Sequence, residues 1–393
     1  MDISYIINEL GEDREQYFGS VAPPIFQTSM FAFKTTAQMR EALQNEAEVP
    51  FYTRGNNPTT TILQKKLAAL ENAEDALVFA SGSAAVAAAV MANVQAGDHV
   101  VCVLKPYSWT NKLLNLLLAR FGVQTTMVDG SEVAHFEAAI QPNTKLIYLE
   151  SPNSWTFEQQ DIAAVAALAK KHQLLTIIDN SYASPLYQNP IGMGIDMVVH
   201  SATKYLGGHS DTVAGVVCGS KEMMRKIFHS EFMTIGAVIS PFNAWLLLRG
   251  LRTLPIRLDR VSQSTAEIIA YLEKHPKVAR IFYPFSPSDP QYDLAQKQMC
   301  KGAGQFSIAL KAETMEEVER FCDGLSRFLL ACSWGSYESL IFPACTLYTS
   351  ENYQNNVLHW SWIRFYIGLE DPQVLIADLE KAFAKMNTPV AQP

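Results

Sequence analysis

The sequence has little that would build a disulfide framework. Its six cysteines (Cys102, Cys218, Cys300, Cys322, Cys332 and Cys345) contain no CxxC pair and no tight spacing, so they read as reduced thiols of a cytoplasmic chain. Blocks of Lys and Arg are also missing. The 393 residues carry a net charge of −8, which leaves no basic stripe to track a nucleic-acid backbone and argues against nucleic acid as a partner. Small anions stay possible, because backbone donors bind them locally. The opening, MDISYIINELGEDREQY, has early acids and no long apolar run, unlike a signal peptide. The one long uncharged stretch, 76–97, is rich in Ala and interrupted by Ser81, Gly82, Ser83 and Asn93. It reads as a buried helix rather than a membrane span, so no membrane partner is expected. The eight histidines show no metal-ligand spacing, and no metal is expected. No G-x-G-x-x-G follows the first apolar run, which argues against a dinucleotide oxidoreductase.

What is present is a long alternation of two patterns. Short apolar runs at 76–80, 99–104, 145–150, 174–178, 197–200 and 214–218 are separated by helical stretches at 83–93, 111–121 and 162–171. Continuous apolar runs between helices imply strands buried on both faces of a mainly parallel sheet, with helices on both faces. The length allows two domains. Residues 1–54 lack periodicity and read as an N-terminal arm. Residues 55–245 read as an α/β domain, and 246–393 as a smaller α+β domain with strand-like runs at 306–310, 329–333 and 363–367.

Three elements carry chemistry. A buried run ends in Ser201-Ala202-Thr203-Lys204, followed by Gly207-Gly208. A lysine at a strand exit lies where α/β sheets bind ligands, and an amine there can form a Schiff base with a carbonyl. The flanking hydroxyls of Ser201 and Thr203 can donate to phosphate oxygens. A second run, LLTIIDN, ends in Asp179, a carboxylate suited to the protonated pyridine nitrogen of pyridoxal phosphate (PLP). The third is Ser81-Gly82-Ser83 at a helix start, where free amides bind anions.

Together these elements resemble the PLP-dependent enzymes of cysteine and methionine metabolism: cystathionine β-lyase, γ-synthase and γ-lyase, and methionine γ-lyase. The resemblance runs from Pro23 to about Ala384. It includes Tyr52-Thr53-Arg54, Glu150-Ser151-Pro152, Asp179-Asn180, Ser201-Ala202-Thr203-Lys204-Tyr205, Gly208-His209-Ser210-Asp211, Glu338-Ser339-Leu340 and Ile363-Arg364. It implies a type-I PLP-dependent fold and these roles. Lys204 bonds the cofactor and shuttles protons, and Asp179 pairs with the ring nitrogen. Tyr107 stacks on the ring and can assist proton transfer. Gly82, Ser83, Ser201 and Thr203 hold the phosphate. Tyr52 and Arg54 reach the phosphate of a neighbouring subunit, which implies a homo-oligomer, a dimer of dimers. Arg364 grips the substrate α-carboxylate, with Ser333 and Trp334 beside it.

Within the family, Ser333-Trp334-Gly335-Ser336-Tyr337-Glu338-Ser339-Leu340 looks most like bacterial cystathionine β-lyase. Enzymes acting at the γ-carbon usually carry Leu at Trp334 and often an acid at Cys332. Methionine γ-lyases typically carry Cys at Trp109. The expected reaction is therefore β-elimination of L-cystathionine or a related cysteine S-conjugate to thiol, pyruvate and ammonia. The alternatives are cystathionine γ-synthase, cystathionine γ-lyase or methionine γ-lyase activity and, in another class, a PLP-fold binding or regulatory protein with little turnover. The chain departs from the β-lyase pattern at two sites: Lys112 stands where an acid is common, and Gly207-Gly208 replace a bulkier pair.

Overall fold

The computed structural model describes residues 1–348, 350 and 358–386. The chain divides into two compact units: Met1–Asn153 with Gln159–Gly207 and Asp211–Thr253, and Ser154–Glu158 with Gly208–Ser210 and Leu254–Pro393.

The first unit is built on seven strands: β1 (Asp75–Phe79), β2 (His99–Val103), β3 (Gln124–Val128), β4 (Thr144–Glu150), β5 (Leu175–Asp179), β6 (Met197–His200) and β7 (Gly215–Gly219). Their order is β1-β7-β6-β5-β4-β2-β3. Strands β3, β2, β4, β5 and β6 run parallel, while β7 is antiparallel to both β6 and β1. Two reversals leave β1 pointing the same way as β6. Apart from the edge strand β3, the strand residues are almost wholly buried, from Val100 and Ile147 to Ile178 and Val198, as β-branched runs covered on both faces must be. Helices Gly82–Met91 and Ile162–Lys171 start at Ser81 and Asp161, whose side chains accept the amides of Ala84 and Ala164.

Three features depart from the sequence pattern. β3 and helix Val133–Ala139 fall where no continuous apolar run exists. The stretch 111–121 breaks into α, π and 3-10 segments. The direction of β7 is opposite to its neighbours, which an apolar run cannot encode.

The second unit holds a five-stranded sheet of β8 (Val278–Phe282), β9 (Gln305–Leu310), β10 (Leu329–Leu330), β11 (Leu340–Pro343) and β12 (Trp362–Tyr366), in the order β10-β11-β12-β9-β8. All its pairs but β10–β11 are antiparallel. Helices Met315–Gly324 and Pro372–Lys385 bury Val318, Phe321, Leu375, Leu379 and Phe383 in the same core as Phe306, Ile308, Ile363 and Phe365. The run at 329–333 gives only a two-residue strand; beyond it, Ser333 turns into the left-handed region at φ 82°. Helix Pro241–Leu272 continues through Pro255.

Candidate active site

In the first unit, the carboxyl ends of β1, β2, β4, β5 and β6 lead into Ser81-Gly82, Tyr107, Glu150, Asp179 and Ser201–Lys204, respectively. That edge of a parallel sheet is where such folds bind ligands.

Gly82 and Ser201 touch. A Cβ on Gly82 would lie 2.9 Å from Ser201 Cβ and 3.0 Å from its Cα and Oγ. Gly215 packs from the other side, where a Cβ would stand 2.2 Å from the Ser81 carbonyl oxygen. Only glycine lets these backbones meet. The helix that begins at Gly82 therefore presents its first amides, which have no intrahelical acceptor, directly beside the Ser201 hydroxyl.

Asp179 is 9% exposed and closes β5. The Ser181 amide donates to its Oδ1 at 2.9 Å, and the Ser181 hydroxyl accepts the Ser201 amide at 2.7 Å. Ser181 thus joins the acid to the Ser201 turn. Burial pushes the Asp179 carboxyl above its ordinary range, opposed by its Ser181 hydrogen bonds and by the charges of His200 and Lys204. A buried acid of this kind is stabilised by a cation placed against it, which fits a protonated pyridine ring. The amides of Gly82 and Ser83 with Ser201 fit the phosphate at its other end.

Lys204 is half-buried, and its amide donates to Ser201 O at 3.1 Å. The Thr203 hydroxyl is tied at both ends to one residue, donating to Ala214 O at 3.2 Å and accepting the Ala214 amide at 3.0 Å. Tyr107 is 40% exposed, and its amide donates to the buried Glu150 at 2.6 Å. Glu150 lies beside Asp179 in the β4–β5 register. Lys112 Nζ stands 4.8 Å from the centre of the Trp109 ring, so these two unusual residues form one cation–aromatic pair. Tyr52 and Arg54 also pair with each other, the guanidinium 5.4 Å from the ring centre.

His200 closes the apolar run 197–200. It ends a buried strand and bonds Glu71, both at most 2% exposed. Asn180 Nδ2 donates to the same Glu71 oxygen at 3.1 Å and to Gln188 O at 3.1 Å, while Gln188 Nε2 donates to Asn180 Oδ1 at 3.0 Å. This buried cluster sits behind the Asp179 turn.

Gly208 has φ +69°, and a Cβ there would lie 2.0 Å from Arg257 Nη1. Gly207 is looser: the nearest neighbour that a Cβ there would meet is Ala202 O, at 3.1 Å.

In the second unit, Arg364 on β12 lies opposite Phe342 and Ser307. Its guanidinium carbon is 5.2 Å from the Trp155 ring centre and 5.3 Å from that of Phe342. With the Gln305 amide turned so that its oxygen meets donors, Oε1 accepts Arg364 Nε at 3.2 Å and Trp334 Nε1 at 3.1 Å. Ser333 and Arg364 line one shallow pocket with Phe342 and Tyr366. Ser181 and Gln305 carry no motif. A short Asx-type turn after Asp179 and a polar residue heading a fully buried strand are the signals that point to them.

Among the described residues, no group of three or more His, Cys, Asp or Glu is placed to hold a metal, and no helix is long and apolar enough to cross a membrane.

The family described as Cys/Met metabolism PLP-dependent enzyme matches residues 5–384. The chain is 40% identical over 374 residues to the L-methionine gamma-lyase of Pseudomonas deceptionensis, covering 94% of each protein. It is 36% identical over 368 residues to the cystathionine gamma-lyase of Bacillus subtilis (strain 168), covering 93% of this chain and 94% of that one. The crystal structure of cystathionine gamma-lyase from Lactobacillus plantarum complexed with L-serine is similar at a TM-score of 0.91 and 34% identity, covering 99% of this chain and all (100%) of that one.

Proposed function

The chain belongs to the Cys/Met metabolism PLP-dependent enzymes, and from that premise we propose that it cleaves a cysteine-type carbon–sulfur bond by β-elimination, releasing a thiol, pyruvate and ammonia. It is a PLP-dependent carbon–sulfur lyase with the type-I fold of its relatives. L-Cystathionine or a related cysteine S-conjugate is the proposed substrate.

When bound, PLP supplies an electron-withdrawing ring that accommodates the electron pair left at the substrate α-carbon. Lys204 anchors the cofactor, then takes the α-proton as general base and returns protons within the site. Asp179 holds the ring nitrogen protonated. The Gly82 and Ser83 amides and the Ser201 hydroxyl hold the phosphate. Thr203 joins them by exchanging its bond to Ala214 for one to the phosphate. Tyr107 covers the ring and can pass a proton to the departing thiolate. Arg364 binds the α-carboxylate with its planar guanidinium, beside Ser333. Tyr52 and Arg54, which stack on each other within one chain, are assigned to a neighbouring subunit's phosphate, in a dimer of dimers.

The observation that carries the β-assignment is Trp334. Its indole shares Gln305 Oε1 with Arg364, so a bulky ring is fixed beside the carboxylate clamp. The β-reading rests on resemblance at this position: bacterial cystathionine β-lyases carry Trp here, whereas enzymes acting at the γ-carbon usually carry Leu. A second reading, γ-elimination, is favoured by the activities for which the relatives are named, which are gamma-lyases.

Lys204→Ala tests the catalytic assignment. The variant is expected to purify folded, to lack the cofactor-linked visible absorbance, and to release no keto acid from L-cystathionine. Turnover at the wild-type rate would overturn it.

A further inference from the structure

We infer that Gln305 is a positioning residue for Arg364, and that it locks the guanidinium and Trp334 into one carboxylate-recognition unit. The inference deepens the proposed function, since it rests on Arg364 binding the substrate α-carboxylate.

The placement begins with the sheet. Gln305 heads β9 opposite Tyr366, and Arg364 lies two residues back on β12, opposite Ser307. Residues two apart on a strand share a face, so Arg364 and Tyr366 project to the same side, as do Gln305 and Ser307. Gln305 is 4% exposed. A buried amide must be satisfied or it is costly, and here one oxygen collects two donors of different kinds, Arg364 Nε at 3.2 Å and Trp334 Nε1 at 3.1 Å.

Each bond fixes something separate. The Nε bond sets the rotation of the guanidinium about its own side chain. The Trp155 and Phe342 rings, 5.5 Å apart, stand 5.2 and 5.3 Å from the guanidinium carbon and set its tilt. Bidentate recognition of a carboxylate depends on both angles. The indole bond fixes Trp334, whose neighbour Ser333 is held at φ 82°, a conformation that needs surrounding support. Gln305 therefore couples the turn that carries Ser333 to the plane of Arg364, and both residues line the same pocket.

The test uses PLP-loaded enzyme. Gln305→Ala, Gln305→Glu and Arg364→Ala are compared with wild type by steady-state turnover of L-cystathionine. Spectral titration adds L-alanine, which has the α-carboxylate, and ethylamine, which lacks it. Loss of one hydrogen bond to a charged group predicts that Gln305→Ala raises KM by about tenfold to a hundredfold, with kcat changed far less. L-Alanine binding weakens in parallel, and ethylamine binding is unchanged. Gln305→Glu, which still offers an oxygen to both donors, restores most of the KM. Equal weakening of L-alanine and ethylamine, or an unchanged KM in Gln305→Ala, would overturn the inference. Arg364→Ala separates the two levels. If it loses L-alanine selectivity while Gln305→Ala does not, only the Gln305 role falls; if it keeps selectivity, the carboxylate assignment of Arg364 falls as well.

Discussion

Substituting Gly82 by Ala is a one-carbon perturbation whose consequences can be worked from distances. The new Cβ would lie 2.9 Å from Ser201 Cβ and 3.0 Å from Ser201 Cα and Oγ, against an optimal carbon–carbon separation of about 3.5–4.0 Å. Relief requires a shift of roughly half an ångström or more. Neither partner can give cheaply. Ser201 is held through its amide by the Ser181 hydroxyl at 2.7 Å. The Ser81–Gly82 turn cannot retreat toward β7, because Gly215 already meets it at glycine-only distance. Overpacking of this kind costs about 1–3 kcal/mol. If the strain is released by moving the first helical amides away from Ser201, PLP affinity falls by about one tenfold step per 1.4 kcal/mol. Thermal unfolding of the apoprotein and absorbance titration with PLP measure the two parts. Gly82→Ala is expected to lower the unfolding temperature and weaken PLP by roughly tenfold to a hundredfold. Ser83→Ala, which keeps its amide and changes only an exposed side chain, is the control and should bind PLP nearly as wild type does. A Gly82→Ala protein with unchanged stability and unchanged PLP affinity would refute the packing argument.

Two further outcomes concern Asp179 and Gly208. Because burial raises the Asp179 pKa, the folded apoprotein holds that proton more tightly than the unfolded chain, so this group's contribution to stability declines as pH rises from the ordinary carboxylate pKa through the raised one. Asp179→Asn should therefore leave the apoprotein at least as stable as wild type at neutral pH while weakening PLP by at least about tenfold; a destabilised apoprotein with normal PLP affinity would contradict this. Gly208→Ala should destabilise by about 1–2 kcal/mol in denaturant unfolding, chiefly from the left-handed backbone, since the Arg257 guanidinium it meets is the far end of a flexible side chain. Gly207→Ala, whose nearest contact is 3.1 Å, should cost less than about 1 kcal/mol, and equal losses would refute the distinction.

How much of the fold is legible in the sequence depends on where each residue's information lies. β2, β4, β5 and β6 are buried on both faces, so their composition alone marks them as central strands. β3 sits at the sheet edge with a half-exposed Gln-Thr-Thr-Met-Val pattern, and β8 is an edge strand of the second sheet with Arg280 outward; neither needs an apolar run. Lys204 and Asp179 are legible because each ends such a run. Ser181 and Gln305 are not, since their roles come from partners brought in by tertiary structure: Ser201 for one, Arg364 and Trp334 for the other. The β7 reversal and the Glu71–His200 pair are likewise tertiary facts. The resemblance of the Trp334 segment points to a β-lyase, whereas the relatives that match across the chain are named gamma-lyases. A local motif and a whole-chain likeness report different things, because one fold hosts several chemistries.

The measurement that bears most directly on the central claim is product identification from L-cystathionine with purified, PLP-loaded protein. β-Elimination predicts pyruvate and homocysteine in equal amounts, with ammonia. The appearance of 2-oxobutyrate and cysteine in their place would contradict the assignment and move cleavage to the γ-carbon.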